Sequence, residues 1–177
     1  QRFRDFTYRQ IEELVSGYGP LDILWLDGGW VRPAPMIEIA PGYVVKNPKN
    51  MDIDMPRIAA MARRHQPGLL VVDRTVSGRY ENYRTPEQEV PDKPLPYAWE
   101  TCMTMGTSWS FNPKDTYKSA HRLVHLLVDI VSKGGNFLLN IGPSPEGEFA
   151  PEALDRLRSI GEWMKVNGEA IYGTRPI

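Results

Sequence analysis

Hydrophobic positions along this chain fall into two alternating kinds of segment. From 5 to 17 they recur with the helical period, and Phe6, Ile11, Leu14 and Val15 share the side predicted to be buried. Gly17 and Gly19-Pro20 stop that helix. LDILWLD at 21–27 is instead an unbroken apolar run ending in Asp-Gly-Gly, the pattern of a strand covered on both faces. A long Pro-rich loop is expected from 28 to 53. Asp54 is placed to cap a helix predicted over 55–65, where Ile58, Met61 and Ala62 share a face and Pro67-Gly68 ends the pattern. LLVVDR at 69–74 reads as a second buried strand, 75–97 as a second long loop, and 98–104 as a third strand. Asp115 is predicted to start the most strongly periodic helix, with Tyr117, Ala120, Leu123, Val124, Leu127, Val128 and Val131 in register. Gly134-Gly135 stops it. NFLLNIG at 136–142 is a fourth strand. Pro151 then opens a last helix, with Leu154, Leu157, Ile160 and Met164 inward and Asn167-Gly168 at its end.

The order is a helix followed by four strand–helix units, the second and third irregular. Continuous apolar strands alternating with helices indicate an α/β fold with a parallel sheet. An open doubly wound sheet and part of a (β/α)8 TIM-like barrel both satisfy that pattern. Asp27-Gly28-Gly29 lacks the spacing of a dinucleotide fingerprint and is not followed by a helix. Polar and aromatic residues gather at the ends of the strands: Asp27, Trp30, Asp73, Arg74 and Asn140. Barrel active sites are built at that end, which favours a partial barrel of about four β/α units, since a whole one needs about 250 residues. The chain has 177 residues, and no linker divides them, so 1–177 is expected to form one domain.

Composition narrows the function more than the fold. Lys plus Arg is 21 and Asp plus Glu is 22, a net charge of -1, with no basic footprint for nucleic acid or an anionic membrane. No apolar run approaches the roughly 18 residues of a membrane-spanning helix. The chain opens on QRFRDFTYRQ, without a signal-peptide pattern and without an initiator Met, as a mature, trimmed or partial product would. The compartment stays open. Cys102 is the only cysteine, so no intrachain disulfide forms.

Asp27 ends a buried strand, and the two glycines after it leave room for a ligand. A fixed, partly shielded carboxylate at a barrel mouth meets the demands on a glycosidase nucleophile. The same Asp can equally cap local backbone N–H groups in a strand–loop turn. A second carboxylate is expected from RYENYRTPEQEVP, which offers Glu81, Glu87 and Glu89 in a loop that also holds Tyr80 and Tyr83. A general acid needs the raised pKa such surroundings provide; a solvated acidic loop is the plainer reading of each. Asp73 and Arg74 can pair, or Arg74 can bind a sugar oxygen. Trp30, Trp99 and Trp109 lie in or near loops and can stack on an apolar sugar face, while Trp163 reads as core or interface. Glu100 is a candidate orienting carboxylate. His121 and His125 have i,i+4 spacing, but HRLVH lacks the zinc-protease glutamate and a third ligand, so both are read as helix-surface or packing residues. No serine elbow, cysteine nucleophile signature or phosphate loop is present.

Taken together, YGPLDILWLDGGW, VVDRTVSGRYENYRTPEQEVP, WETCMTMGTSWSFNP, LVDIVSKGGNFLLNIGPSPEGEF and IGEWMKVNGEAIYGTRP resemble, in this order, segments of the α-L-fucosidases of glycoside hydrolase family 29. The resemblance covers nearly the whole chain. It implies hydrolysis of terminal α-L-fucose from fucosylated glycans with retention of configuration, with Asp27 as nucleophile and a Glu as acid/base. It implies no metal or organic cofactor. Matching back from Trp109 selects Glu81, the first choice; matching R-T-P-E forward selects Glu87. Trp25, Arg74 and Trp109 fall on positions that look fucose-contacting. By the same resemblance the N-terminal half of the barrel and a C-terminal β-sandwich are missing. A half barrel leaves strand edges and apolar surface uncovered, so a homo-oligomer or a missing N-terminal segment is expected to complete it. The contrasting expectation is a catalytically silent fucose-binding or interaction module. A barrel glycosidase acting on another sugar would share the chemistry but not the closing motifs.

Overall fold

The computed structural model describes residues 1–28, 36–46, 51–72 and 74–176. Its elements in chain order are α1 (Arg2–Gly17), β1 (Ile23–Leu24), β2 (Met36–Ala40), β3 (Tyr43–Lys46), α2 (Met55–His65), β4 (Leu70–Val71), β5 (Trp99–Thr104), α3 (Ala120–Ser132), β6 (Gly135–Asn140) and α4 (Pro151–Asn167), closed by a 3-10 turn at Gly168–Ala170. They form two compact units, Gln1–Arg84 and Thr85–Ile177.

In the first unit β1 and β4 pair in parallel, Ile23 opposite Leu70 and Leu24 opposite Val71. A parallel pair needs a crossover, and α2 lies on it. Ile58, Met61 and Ala62 are buried as their spacing predicts, and they pack with Ile11 and Val15 of α1 and Leu24 and Val71 of the strands. The buried stripe of α1 is narrower than expected. Phe6 is 60% exposed and Leu14 is exposed too, because Ile11 and Val15, one turn apart, supply the face turned to the core. Asp54 stands before α2, but its side chain caps nothing; its own N–H donates to Asp52 Oδ1 at 2.8 Å. The loop expected over 28–53 contains an antiparallel hairpin, β2–β3, turned at Pro41-Gly42. The apolar runs at 21–27 and 69–74 keep only two ladder residues each. Around them, both backbone and side-chain groups extend the pairing: Leu70 N donates to Asp22 O at 2.9 Å, Val72 bridges Tyr83 in parallel, and side chains take further bonds as described below.

In the second unit β5 and β6 pair in parallel along six residues each, from Trp99 opposite Gly135 to Thr104 opposite Asn140. The segment before β5 pairs with its other edge: Gln88 N donates to Cys102 O at 2.9 Å, and Cys102 N to Pro86 O at 3.3 Å. Every residue of β5 except Glu100 is buried, as a strand covered on both faces requires. Its threonines are satisfied locally, Thr101 by Glu89 O and Thr104 by Gly106 O.

The crossover helix α3 starts at Ala120 rather than Asp115, capped by the Ser119 hydroxyl, which accepts from Arg122 N at 3.1 Å. Its buried face is Leu123, Leu126 and Ile130, while Val128 is exposed and Val124, Leu127 and Val131 are half-buried, so the inward stripe is rotated from the one the apolar positions suggest. Valines fill both flanks of this helix, and only contact with the sheet selects among them. Gly134, at φ 79°, ends α3 in the left-handed turn glycine adopts without strain. In α4 the buried residue is Ala153; Leu154, Ile160 and Met164 are half-buried, and Leu157 is exposed.

Trp99 corrects an expectation. It was a loop candidate for sugar stacking, yet it is 1% exposed in β5 and its indole N–H donates to Lys133 O at 3.2 Å. Gly135, directly opposite, makes room: a Cβ there would lie 2.4 Å from the indole. Gly135→Ala is therefore expected to destabilise by about 1–3 kcal/mol through overpacking, and Ile58→Ala by about 2–5 kcal/mol. Phe6→Ser should cost within about 0.5 kcal/mol. Urea midpoints of the three variants measure this; equal shifts would contradict the assigned burial.

Candidate functional site

Asp27 and Arg74 each lie three residues past the last ladder pair of β1 and β4, Leu24 opposite Val71. The side chains meet there, with Arg74 Nη2 at 3.5 Å from Asp27 Oδ1. The guanidinium also lies over the Trp25 ring, 5.2 Å from its centroid, where the aromatic face attracts a cation. The Thr75 hydroxyl donates to Leu26 O, continuing the link between the two strand ends after the ladder stops. Asp27 remains 55% exposed at its side chain while Arg74 is mostly covered. A carboxylate is thus held by a cation from within and open from without. Trp25, Asp27 and Arg74 are brought together; Trp30 and Asp73 lie outside the described residues.

Glu81 sits on a separate, tightly held loop of the same unit. Its Oε2 accepts from Gly78 N at 3.0 Å, Arg84 Nε is 3.3 Å from its Oε1, and its side chain is 16% exposed. Two residues that the sequence did not single out dock this loop. Arg63, in the last turn of α2, donates to Tyr80 O at 2.7 Å, to Asn82 Oδ1 at 2.5 Å and to Leu69 O at 3.3 Å. Asn82 Oδ1 accepts from Val71 N at 2.9 Å, and Asn82 N donates to Val71 O at 2.8 Å. Asn82 therefore completes the end of β4. The only sequence signal for Arg63 is a cation near a helix C-terminus, which many surface helices share.

In the second unit Glu87 is exposed, and its backbone forms an isolated parallel bridge with Cys102. Glu89 is exposed and Glu100 is half-buried. Trp109 lies in the loop after β5, 41% exposed. Asn140 ends β6, and its side-chain oxygen is buried without a hydrogen bond. His121 and His125 lie exposed on α3 with ring centroids 4.1 Å apart, the helix-surface alternative of the two expected. Trp163 is half-buried in α4, and Cys102 is a buried thiol.

The Tyr80 phenol donates to Val76 O, and burial, reinforced by the charge of Glu81, pushes its pKa up to about 12. The folded state therefore keeps this proton after an unfolded tyrosine would lose it. The resulting contribution to stability is fully present below pH 10 and lost as pH rises to about 12. Ultraviolet titration should show one late phenolate step that disappears in Tyr80→Phe; a step unchanged in that variant would refute the assignment.

The α-L-fucosidase family model matches residues 1–169. The chain is 43% identical over 176 residues to the plasma α-L-fucosidase of Rattus norvegicus, covering 95% of this chain and 35% of that protein. It is 34% identical over 181 residues to the α-L-fucosidase of Branchiostoma floridae, covering 98% and 37%. Among solved structures, α-L-fucosidase isoenzyme 1 from Paenibacillus thiaminolyticus superposes with a TM-score of 0.84 at 29% identity, covering 99% of this chain and 42% of that one. The Thermotoga maritima α-fucosidase in complex with fucose gives 0.76 at 32% identity, covering 99% and 36%. The chain spans little more than a third of the length of these curated relatives. With nearly all of its own length matched in both sequence and structure, this chain belongs to the α-L-fucosidase family.

Proposed function

We propose that this chain carries the nucleophile side of a retaining α-L-fucosidase site, as the C-terminal half of a (β/α)8 barrel built from about four β/α units. The observation that carries the reading is the Asp27–Arg74 pair at the adjoining C-terminal ends of two parallel strands, with Trp25 under the guanidinium. Barrel glycosidases place their chemistry at such ends. Either a second copy or the N-terminal barrel half completes the site around a terminal α-L-fucose.

In this mechanism an Asp27 oxygen attacks the anomeric carbon. The bond to the aglycone breaks with its electron pair on the leaving oxygen, which takes a proton from the acid/base Glu. The resulting fucosyl ester is then opened by water that the same Glu deprotonates, and the ester electrons return to Asp27. Arg74 holds the carboxylate in place between the two steps. Trp25, Trp30 and Trp109 supply apolar faces for the sugar. Glu81 is the first choice for the acid/base. Its support is a covered carboxyl on a docked loop in the same unit as Asp27. Glu87 is the second.

Hydrolysis of a chromogenic aryl α-L-fucoside should fall to background in Asp27→Ala, and a 2-fluorofucosyl fluoride should label the peptide that contains Asp27. Retained turnover in the variant would sink the assignment. A folded parent without turnover would favour a silent fucose-binding module. Alanine at the true acid/base should cost about 10²–10⁴-fold, most on substrates with poor leaving groups, while its turnover of an activated aryl fucoside should be rescued by azide. Applied to Glu81→Ala and Glu87→Ala, the pattern separates the two, and rescue of neither would exclude both.

A further inference from the structure

After β5 the chain leaves the sheet for a loop that returns to its own base. Met105 N donates to Asn140 O at 2.9 Å, and Lys118 N closes the loop on Met105 O at 3.0 Å. Trp109 stands on this loop, exposed to solvent. A tryptophan on a free loop would have to be ordered each time a ligand bound, at a cost in affinity. Here one carboxylate does the ordering in advance. Asp115 Oδ1 accepts from Thr107 N at 2.7 Å, from the Thr107 hydroxyl at 2.5 Å and from Thr116 N at 2.8 Å, while Oδ2 accepts from Ser108 N at 3.4 Å.

The rest of the loop is shaped to admit that carboxylate. A Cβ on Gly106 would lie 2.1 Å from Asp115 Oδ2, so any larger residue would displace it. Lys118 Nζ donates to Thr104 O at 2.6 Å and to Gly106 O at 3.2 Å, fixing the carbonyls on the strand side. The far limb is packed from outside, since a Cβ on Gly142 would lie 2.5 Å from Phe111 N. The bond from the Thr107 hydroxyl holds the Asp115 carboxyl below the usual carboxylate range, so the clamp stays ionised at neutral and mildly acidic pH.

We infer that Asp115 is a positioning residue, whose carboxylate sets the loop that presents Trp109 to the apolar face of the sugar. It governs substrate affinity through Trp109 and touches none of the reacting atoms. The inference rests on the proposed role of Trp109 as a fucose contact.

The test uses the full 177-residue chain with Asp115→Ala, Asp115→Asn, Trp109→Ala and the Asp115→Ala/Trp109→Ala double variant. Amide hydrogen exchange comes first. The 105–116 segment should exchange faster in Asp115→Ala with the rest of the chain unchanged. Asp115→Asn, which keeps one acceptor oxygen, should restore part of the protection. Unchanged exchange would overturn the clamp. Fucoside affinity is read next, as KM in turnover and as direct binding by tryptophan quenching. Asp115→Ala and Trp109→Ala should each weaken it by about 10- to 100-fold, the scale of a displaced contact, with kcat changed far less. The double variant should be no worse than the weaker single one. Losses that multiply would show that Asp115 does not act through Trp109. Binding without turnover would count against the fucosidase reading alone. Absent fucoside binding in the parent would remove the substrate role while the exchange data still decide the clamp.

Discussion

Two strands that run in the same direction cannot be joined by a tight turn; the chain must cross back over the sheet before pairing again. That constraint organises each unit of this protein. In the first the crossover carries α2 between β1 and β4, and in the second it is α3 between β5 and β6. Because each pair is parallel, both strands finish at the same edge, and residues distant in sequence become neighbours there. Asp27 and Arg74 meet in this way, and so do the backbones of Thr104 and Asn140. The candidate chemistry follows from the direction of the strands more than from their length.

Where the ladders stop, polar side chains and isolated backbone contacts continue them. A buried peptide group without a partner is costly, so each strand end recruits one. Thr75 reaches Leu26 O, Asn82 bonds both polar groups of Val71, and Arg63 ties Leu69, Tyr80 and Asn82 together. Asp115 and Lys118 do the same for the backbone after β5. These bonds satisfy the main chain and, by doing so, define the loops on which Glu81 and Trp109 stand. Structural necessity and the placement of these candidate residues, each within its own unit, are here the same set of contacts.

Much of this was legible in the sequence. The helices, the β5 and β6 strands and the stops at Gly19-Pro20, Pro67-Gly68 and Gly134-Gly135 follow from periodicity and turn chemistry. The faces were harder. In α3 apolar residues occupy more than one side, and period alone cannot say that Leu126 and Ile130 turn inward while Val128 does not. In α1 Phe6 and Leu14 fit the helical stripe yet lie exposed, because Ile11 and Val15 are the residues that meet the core. The β2–β3 hairpin was hidden in a Pro-rich stretch whose only cue is Pro41-Gly42.

By itself the sequence determined the α/β class, the family, and Asp27, Glu81 and Glu87 as the carboxylates worth testing, because local period, turn residues and ordered motifs are properties of neighbouring positions. Tertiary structure decided that Arg74 stands against both Asp27 and Trp25, that Trp99 is a core residue packed on Gly135, and that Arg63, Asn82 and Asp115 hold the loops. Each of those outcomes depends on strand register or on a side chain reaching a backbone group of another segment. Neither quantity is a function of adjacent residues, so neither exists until the chain has folded.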